Sequence, residues 1–148
     1  MSASSNDADA ILRLMDQWAD ALERRDAAAM SAMYTDDATL FDVKPPWVMH
    51  GPQAYRASWE ACFPYLPARF EAQRRAVSLQ VGQDVAVCHC LSRIAPVDEP
   101  QHPAGASWLR ITIALRKEAG SWKVFHEHGS LPFDPMTDRV VPIAVEGE

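Results

Sequence analysis

The order of hydrophobic periods along the chain limits its fold more than any single motif does. Before Ala68 the apolar residues recur at helical spacing, whereas from Ala68 onward they fall in long runs with strand composition. The second half reads as four strands: "RFEAQRRAVSLQV", "DVAVCHCLSRIAPV", "ASWLRITIALRKEAG" and "SWKVFHEHGSLPF". Turn signals at Gly82-Gln83-Asp84 and Glu118-Ala119-Gly120, and the longer loop "PVDEPQHPAG", connect them. Helices followed by a strongly antiparallel sheet predict an α+β domain.

In the first half, "DADAILRLMDQWADALERRD" places Ile11, Leu14, Met15, Trp18, Ala21 and Leu22 on one stripe, with Asp9 near the helix start. Asp26 is placed to cap a shorter helix, "AAAMSAMY", and "DDATLFDV" then reads as a turn and a strand ended by Pro45 and Pro46. Gly51-Pro52 opens a third helix, "PQAYRASWEACFPYL", in which Tyr55, Trp59 and Phe63 recur every four residues. A length of 148 residues, 48% of them hydrophobic, suits one core. The expected division is a flexible N-terminus over 1–8, a single domain over 9–135 and a tail over 136–148 that runs across the surface or onto a partner.

Composition narrows the function. The formal net charge is −6, and basic residues cluster no further than the pairs Arg24-Arg25 and Arg74-Arg75, which argues against nucleic acid as a partner. No apolar run is long enough to span a membrane, and "MSASSNDADA" lacks the order of a secretory signal, so a soluble cytoplasmic protein is expected. Cys62, Cys88 and Cys90 do not suggest a disulfide framework in that setting. Strand alternation in Cys88-His89-Cys90 puts both sulfurs on one face and the imidazole on the other. The same alternation in His126-Glu127-His128 separates the carboxylate from two imidazoles, and with no further ligand close in the chain no metal site is expected.

Four strings in order, "QWADALERRD", "MYTDDATLFD", "HGPQAYRASW" and "ALRKEAGSWKVFHEHGSLPF", resemble the SnoaL-like and ketosteroid-isomerase-like branch of the nuclear transport factor 2-like superfamily. The resemblance covers nearly the whole chain. It implies a cone-shaped fold in which three N-terminal helices pack in a strongly curved, mainly antiparallel sheet around a deep pocket, commonly as a homodimer through the outer sheet face.

In the isomerases the last acid of the stretch matching "DDATLFD" moves a proton beside a ketone, and that residue here is Asp42. Such chemistry needs a partly desolvated carboxylate together with donors for the developing enolate charge. The isomerases supply those donors from a tyrosine on the first helix and a neutral aspartic acid on a later strand. Here Trp18 stands where the tyrosine would, with one indole donor, and "WLRITIALR" has no acid, which implies a substrate other than a steroid.

Matching the last strand to the family puts Phe125, Glu127, Gly129 and Leu131 toward the pocket and Trp122, Val124, His126, His128 and Ser130 outside. The same parity on the neighbouring strand turns Trp108, Arg110, Thr112 and Ala114 inward, with Ile111, Ile113 and Leu115 outward, so that Arg110 is expected to pair with Glu127. An outward face carrying Ile111, Ile113, Trp122 and Val124 would be covered in a dimer. Tyr55 and Trp59 are expected to line the mouth, and His89 is a further pocket candidate.

Two classes of function follow. One is an enzyme without metal or organic cofactor that abstracts a proton next to a carbonyl of a hydrophobic small molecule, leading to isomerisation, cyclisation or dehydration. Asp42 would be its base, with Trp18 or Arg110 polarising the carbonyl. The other is a ligand-binding or oligomerising domain with a vestigial pocket, as in the similar association domain of calcium/calmodulin-dependent kinase.

Overall fold

The computed structural model describes residues 5–145. The first helix, α1 (Ser5–Glu23), buries Ile11, Met15, Ala21 and Leu22, as the apolar stripe requires. It starts earlier than the expected flexible segment over 1–8 allows. Asp7 lies in its first turn and accepts hydrogen bonds from Lys117 Nζ at 2.9 Å and Trp122 Nε1 at 3.1 Å. These bonds fasten the helix start to the sheet, while residues 1–4 lie outside the described part of the chain.

Asp26 caps the short α2 (Ala27–Ser31) by accepting from Ala29 N at 3.0 Å. Tyr34 belongs not to this helix but to the first strand, β1 (Tyr34–Phe41). After β2 (Met49–His50), the chain enters α3 (Gly51–Cys62) through Gly51 at φ +82°. A side chain there would be strained and would also press on Asp36 O at 3.3 Å. Four long strands follow: β3 (Phe70–Val81), β4 (Val85–Pro96), β5 (Leu109–Glu118) and β6 (Ser121–Ser130).

These strands form a six-stranded open sheet in the order β2-β1-β6-β5-β4-β3, antiparallel throughout except where β1 runs parallel to β6. Besides a register shift in β1 between Tyr34 and Thr39, two irregularities bend it. One lies in β3 between Arg75 and Ser78, where Ala76 takes φ +54°. The other lies in β6, where Ala114 faces His126 but Leu115 faces Val124, leaving Phe125 as an extra residue. Bulges of this kind increase local twist and curvature, and the concave side closes around α1 and α3.

The bulge at Phe125 overturns the simple alternation expected for β6. Trp122 and Val124 are buried inside, while Glu127 and Gly129 also point inward beyond the bulge. Phe125 is displaced to the outside, with the Arg116 guanidinium 5.6 Å from its ring centre. The parity expected for β5 is reversed as well. Ile111, Ile113 and Leu115 face the interior, and Arg110 and Thr112 are exposed. Burial of these branched side chains contributes about 1.5–3 kcal/mol each, which outweighs any pairing an inward Arg110 would gain. Ile111, Ile113, Trp122 and Val124 therefore do not form an outer dimer patch.

Trp108 is also outside the cone, yet buried: Arg93 lies 4.3 Å over its ring, and its backbone N–H donates to Ile143 O at 3.1 Å. The tail thus crosses the surface after a small hairpin of β7 (Phe133–Asp134) and β8 (Arg139–Val140). No helix among the described residues is long and apolar enough to cross a membrane.

Candidate active site

Helices α1 and α3 and the concave sheet enclose a cavity of about 490 Å³. Its walls are mostly apolar, with Met15 and Trp18 from α1, Tyr55 and Trp59 from α3, and Ile111 and Ile113 from β5. A pocket of this size and character suits a compact organic molecule.

Glu127 is the carboxylate set deepest into the sheet. In the ladder it stands between Ile113 of β5 and Leu40 of β1, both buried. The Tyr34 hydroxyl donates to Glu127 Oε1 at 2.5 Å, Tyr34 and Tyr55 hydroxyl oxygens are 2.9 Å apart, and Trp18 Nε1 donates to the Tyr55 hydroxyl at 2.8 Å. The tyrosine rings are tilted against each other at 4.1 Å, which keeps the two hydroxyls together.

Burial disfavours the Glu127 carboxylate and raises its pKa from 4.5 to about 7; the Tyr34 hydrogen bond opposes this, and the Asp42 charge adds to it. Burial, together with the Glu127 charge, also lifts both tyrosines well above their ordinary value, so they remain neutral hydroxyls. At neutral pH, Glu127 therefore divides between acid and base, the condition in which a carboxyl transfers protons most effectively.

Asp42 also borders the cavity, but immediately after β1 and at its rim. Its Oδ1 accepts from Val43 N at 2.7 Å, and its Oδ2 lies 3.4 Å from Lys44 Nζ. The side chain is 29% exposed, so water and Lys44 both support its charge. Lys44 in turn donates to Ser58 Oγ at 3.0 Å, linking this rim to α3.

Of the residues singled out from sequence, Asp42, Trp18, Tyr55, Trp59 and Glu127 line one cavity. Three do not reach it. Arg110 is exposed and donates to Ser130 Oγ at 3.0 Å on the convex face, so it makes no pair with Glu127. His89 is exposed opposite Thr112, on the same convex side. Phe125 is turned out by the bulge. Trp18 is present in the cavity wall, but its N–H is spent on Tyr55 and is not a free donor for a ligand oxygen.

Tyr34 is the member that sequence reasoning missed. A buried tyrosine must satisfy its hydroxyl, and that need was the available signal, but the position read as the end of α2. His126 and His128 lie outside as expected, packed edge-on to Phe41 at 5.0 and 5.3 Å, with His126 Nδ1 2.6 Å from Thr39 O.

The model of the SnoaL-like domain matches residues 11–134. The chain belongs to the SnoaL-like family. Its fold is that of the nuclear transport factor 2-like superfamily: a protein of unknown function from Pseudomonas putida KT2440, described as NTF2-like, is similar at 28% identity and TM-score 0.86, over 98% of this chain and 99% of that one. A candidate scytalone dehydratase from Novosphingobium aromaticivorans shares the fold at 15% identity and TM-score 0.69, covering 95% of this chain and 89% of that one. A candidate calcium/calmodulin-dependent protein kinase type II association domain from Thiobacillus denitrificans shares it at 24% identity and TM-score 0.65, over 79% and 90% of the two chains. The curated proteins contain no match. A shared fold does not assign a function to this SnoaL-like chain; only the chemistry of its own cavity can.

Proposed function

We propose that this SnoaL-like protein is an enzyme that uses its own carboxyl groups to move a proton on a hydrophobic small molecule carrying a carbonyl. The observation that carries this reading is Glu127, a carboxyl held in an apolar cavity, hydrogen-bonded by Tyr34 and raised to about 7. As a carboxylate it removes a proton from the carbon beside the carbonyl. As a carboxylic acid it returns that proton at another carbon, giving isomerisation, or delivers it to a departing hydroxyl, giving dehydration. Asp42, charged at the rim, is the second carboxylate of the site and supports a proton-deficient Glu127 less than it supports a protonated one, because like charges oppose each other.

This reading moves the base from Asp42 to Glu127. Asp42 has solvent and Lys44 beside it, whereas among the described residues Glu127 has the Tyr34 hydroxyl alone. Incubation of a panel of hydrophobic ketones and 1,3-dicarbonyl compounds in heavy water, followed by NMR, tests it. Deuterium uptake with wild type that disappears in Glu127→Gln supports the assignment. Uptake lost only in Asp42→Asn would return the base to Asp42. Ligand binding with no uptake on any carbonyl compound would make the cavity a binding site alone.

A further inference from the structure

The chain of hydrogen bonds behind Glu127 has a direction. An indole N–H donates and never accepts, so Trp18 can only give a hydrogen bond to the Tyr55 hydroxyl, 2.8 Å away. Tyr34 has one proton and stands against two oxygens, those of Tyr55 at 2.9 Å and Glu127 at 2.5 Å. When the carboxyl is ionised, the Tyr34 proton goes to it. The Tyr55 proton then points to Tyr34, the arrangement in which all three contacts are made.

Protonation of Glu127 offers two alternatives. If the proton settled on Oε1, it would point at Tyr34, which would turn its own proton to Tyr55. Tyr55, already accepting from Trp18 and paired also with Trp59, would be left with a buried hydroxyl proton and no acceptor among the described residues. If the proton settles on Oε2, every bond of the chain persists and the new O–H faces the cavity, where a ligand or water accepts it. An unmade hydrogen bond in a low-dielectric interior is the costlier choice.

We infer that Trp18, Tyr55 and Tyr34 act as positioning residues that keep Glu127 Oε1 an acceptor in both protonation states, so that Glu127 gives and takes its proton only through Oε2. The inference rests on the reading of Glu127 as the proton carrier. It also separates the two oxygens of one carboxyl into an anchor and a reactive atom. The other ionisable groups around Glu127 are Asp42 after β1, Tyr55 of α3 and Cys90 of β4, and the cations on the cavity wall are Lys44, Arg74 and Arg93. Apart from Tyr55, none of these belongs to the chain that ends on Oε1.

The test is a paired titration of the wild-type protein by NMR, following the labelled Glu carboxyl carbons and the Trp indole N–H groups together. Assignments come from Glu127→Gln and Trp18→Phe. The expected result is that the Trp18 indole resonance shifts with the Glu127 midpoint and remains protected from solvent exchange on both sides of it. In Tyr34→Phe the indole should stop following Glu127, and the midpoint should rise, because a donor that favours the carboxylate has been removed. The pH at which proton transfer is half-maximal should rise with it, which loss of packing alone would not cause.

A wild-type indole resonance that ignores the Glu127 titration would overturn the inference. So would a Tyr34→Phe midpoint that stays or falls. Should Tyr34→Phe not fold, the wild-type coupling decides the matter alone. Full activity in Glu127→Gln, with the coupling present in the wild type, would overturn the proposed reaction while leaving the directed chain in place.

Discussion

Asp42 and Glu127 border the same cavity and carry the same functional group, yet their surroundings differ. Asp42 follows the end of a strand, accepts a backbone N–H and has Lys44 and water beside it. Glu127 stands in mid-strand between two buried branched side chains, with one hydroxyl to meet it. Two carboxyls on one cavity wall differ by the water and the charges each can reach, which a resemblance to a family does not show. A carboxyl that loses water has its pKa raised, and Glu127, beyond the bulge at Phe125, faces the apolar cavity.

The sharpest way to break this contrast is to exchange each carboxyl for its amide. Glu127→Gln should lower proton exchange on a carbonyl ligand by about 10²–10⁴-fold while cooperative unfolding persists, measured by NMR exchange rates and thermal melts.

The next effect is on stability. The folded-state value of Glu127 is raised from 4.5 to about 7, so the native protein holds a proton that the unfolded chain has released between those values. The stabilising contribution of the protonated group is complete below its ordinary value and is lost as pH rises through about 7. Denaturant titrations should show wild type losing up to about 3 kcal/mol over that window relative to Glu127→Gln. A parallel pH dependence in the two proteins would remove burial as the cause of the contrast.

Asp42→Asn should be milder, lowering activity by roughly tenfold, equivalent to about 1.4 kcal/mol. Removal of its like charge should lower the Glu127 midpoint, and the pH–rate profile reads both. The smallest change is expected on the convex face: Arg110→Ala should alter stability by within about 0.5 kcal/mol and leave activity unchanged, as denaturant melts and exchange assays will show.

Much of the fold was legible because hydrophobic period and turn residues act locally. The stripe from Ile11 to Leu22 formed α1, Asp26 capped α2, and the four strand-like runs after Ala68 became β3 to β6. The faces were harder. In "WLRITIALR" the apolar residues Leu109, Ile111, Ile113 and Leu115 alternate with Arg110 and Thr112, and that pattern alone gives the observed parity. Parity transferred from the last strand gave the reverse, because a bulge adds one residue and breaks counting by twos. Glu127 itself was placed correctly, since it lies beyond the bulge. Tyr34 was hidden by its position between a short helix and a strand, and its partners lie 21 and 93 residues away in sequence. No local pattern encodes contacts of that span.

The environment of the Glu127 carboxyl is tested most directly by titrating that carboxyl. Difference infrared spectroscopy between wild type and Glu127→Gln across the pH range isolates the C=O band of protonated Glu127. The expected midpoint is about 7. A midpoint at the ordinary 4.5 would contradict the account, since Glu127 would then be a solvated carboxylate with no advantage over Asp42.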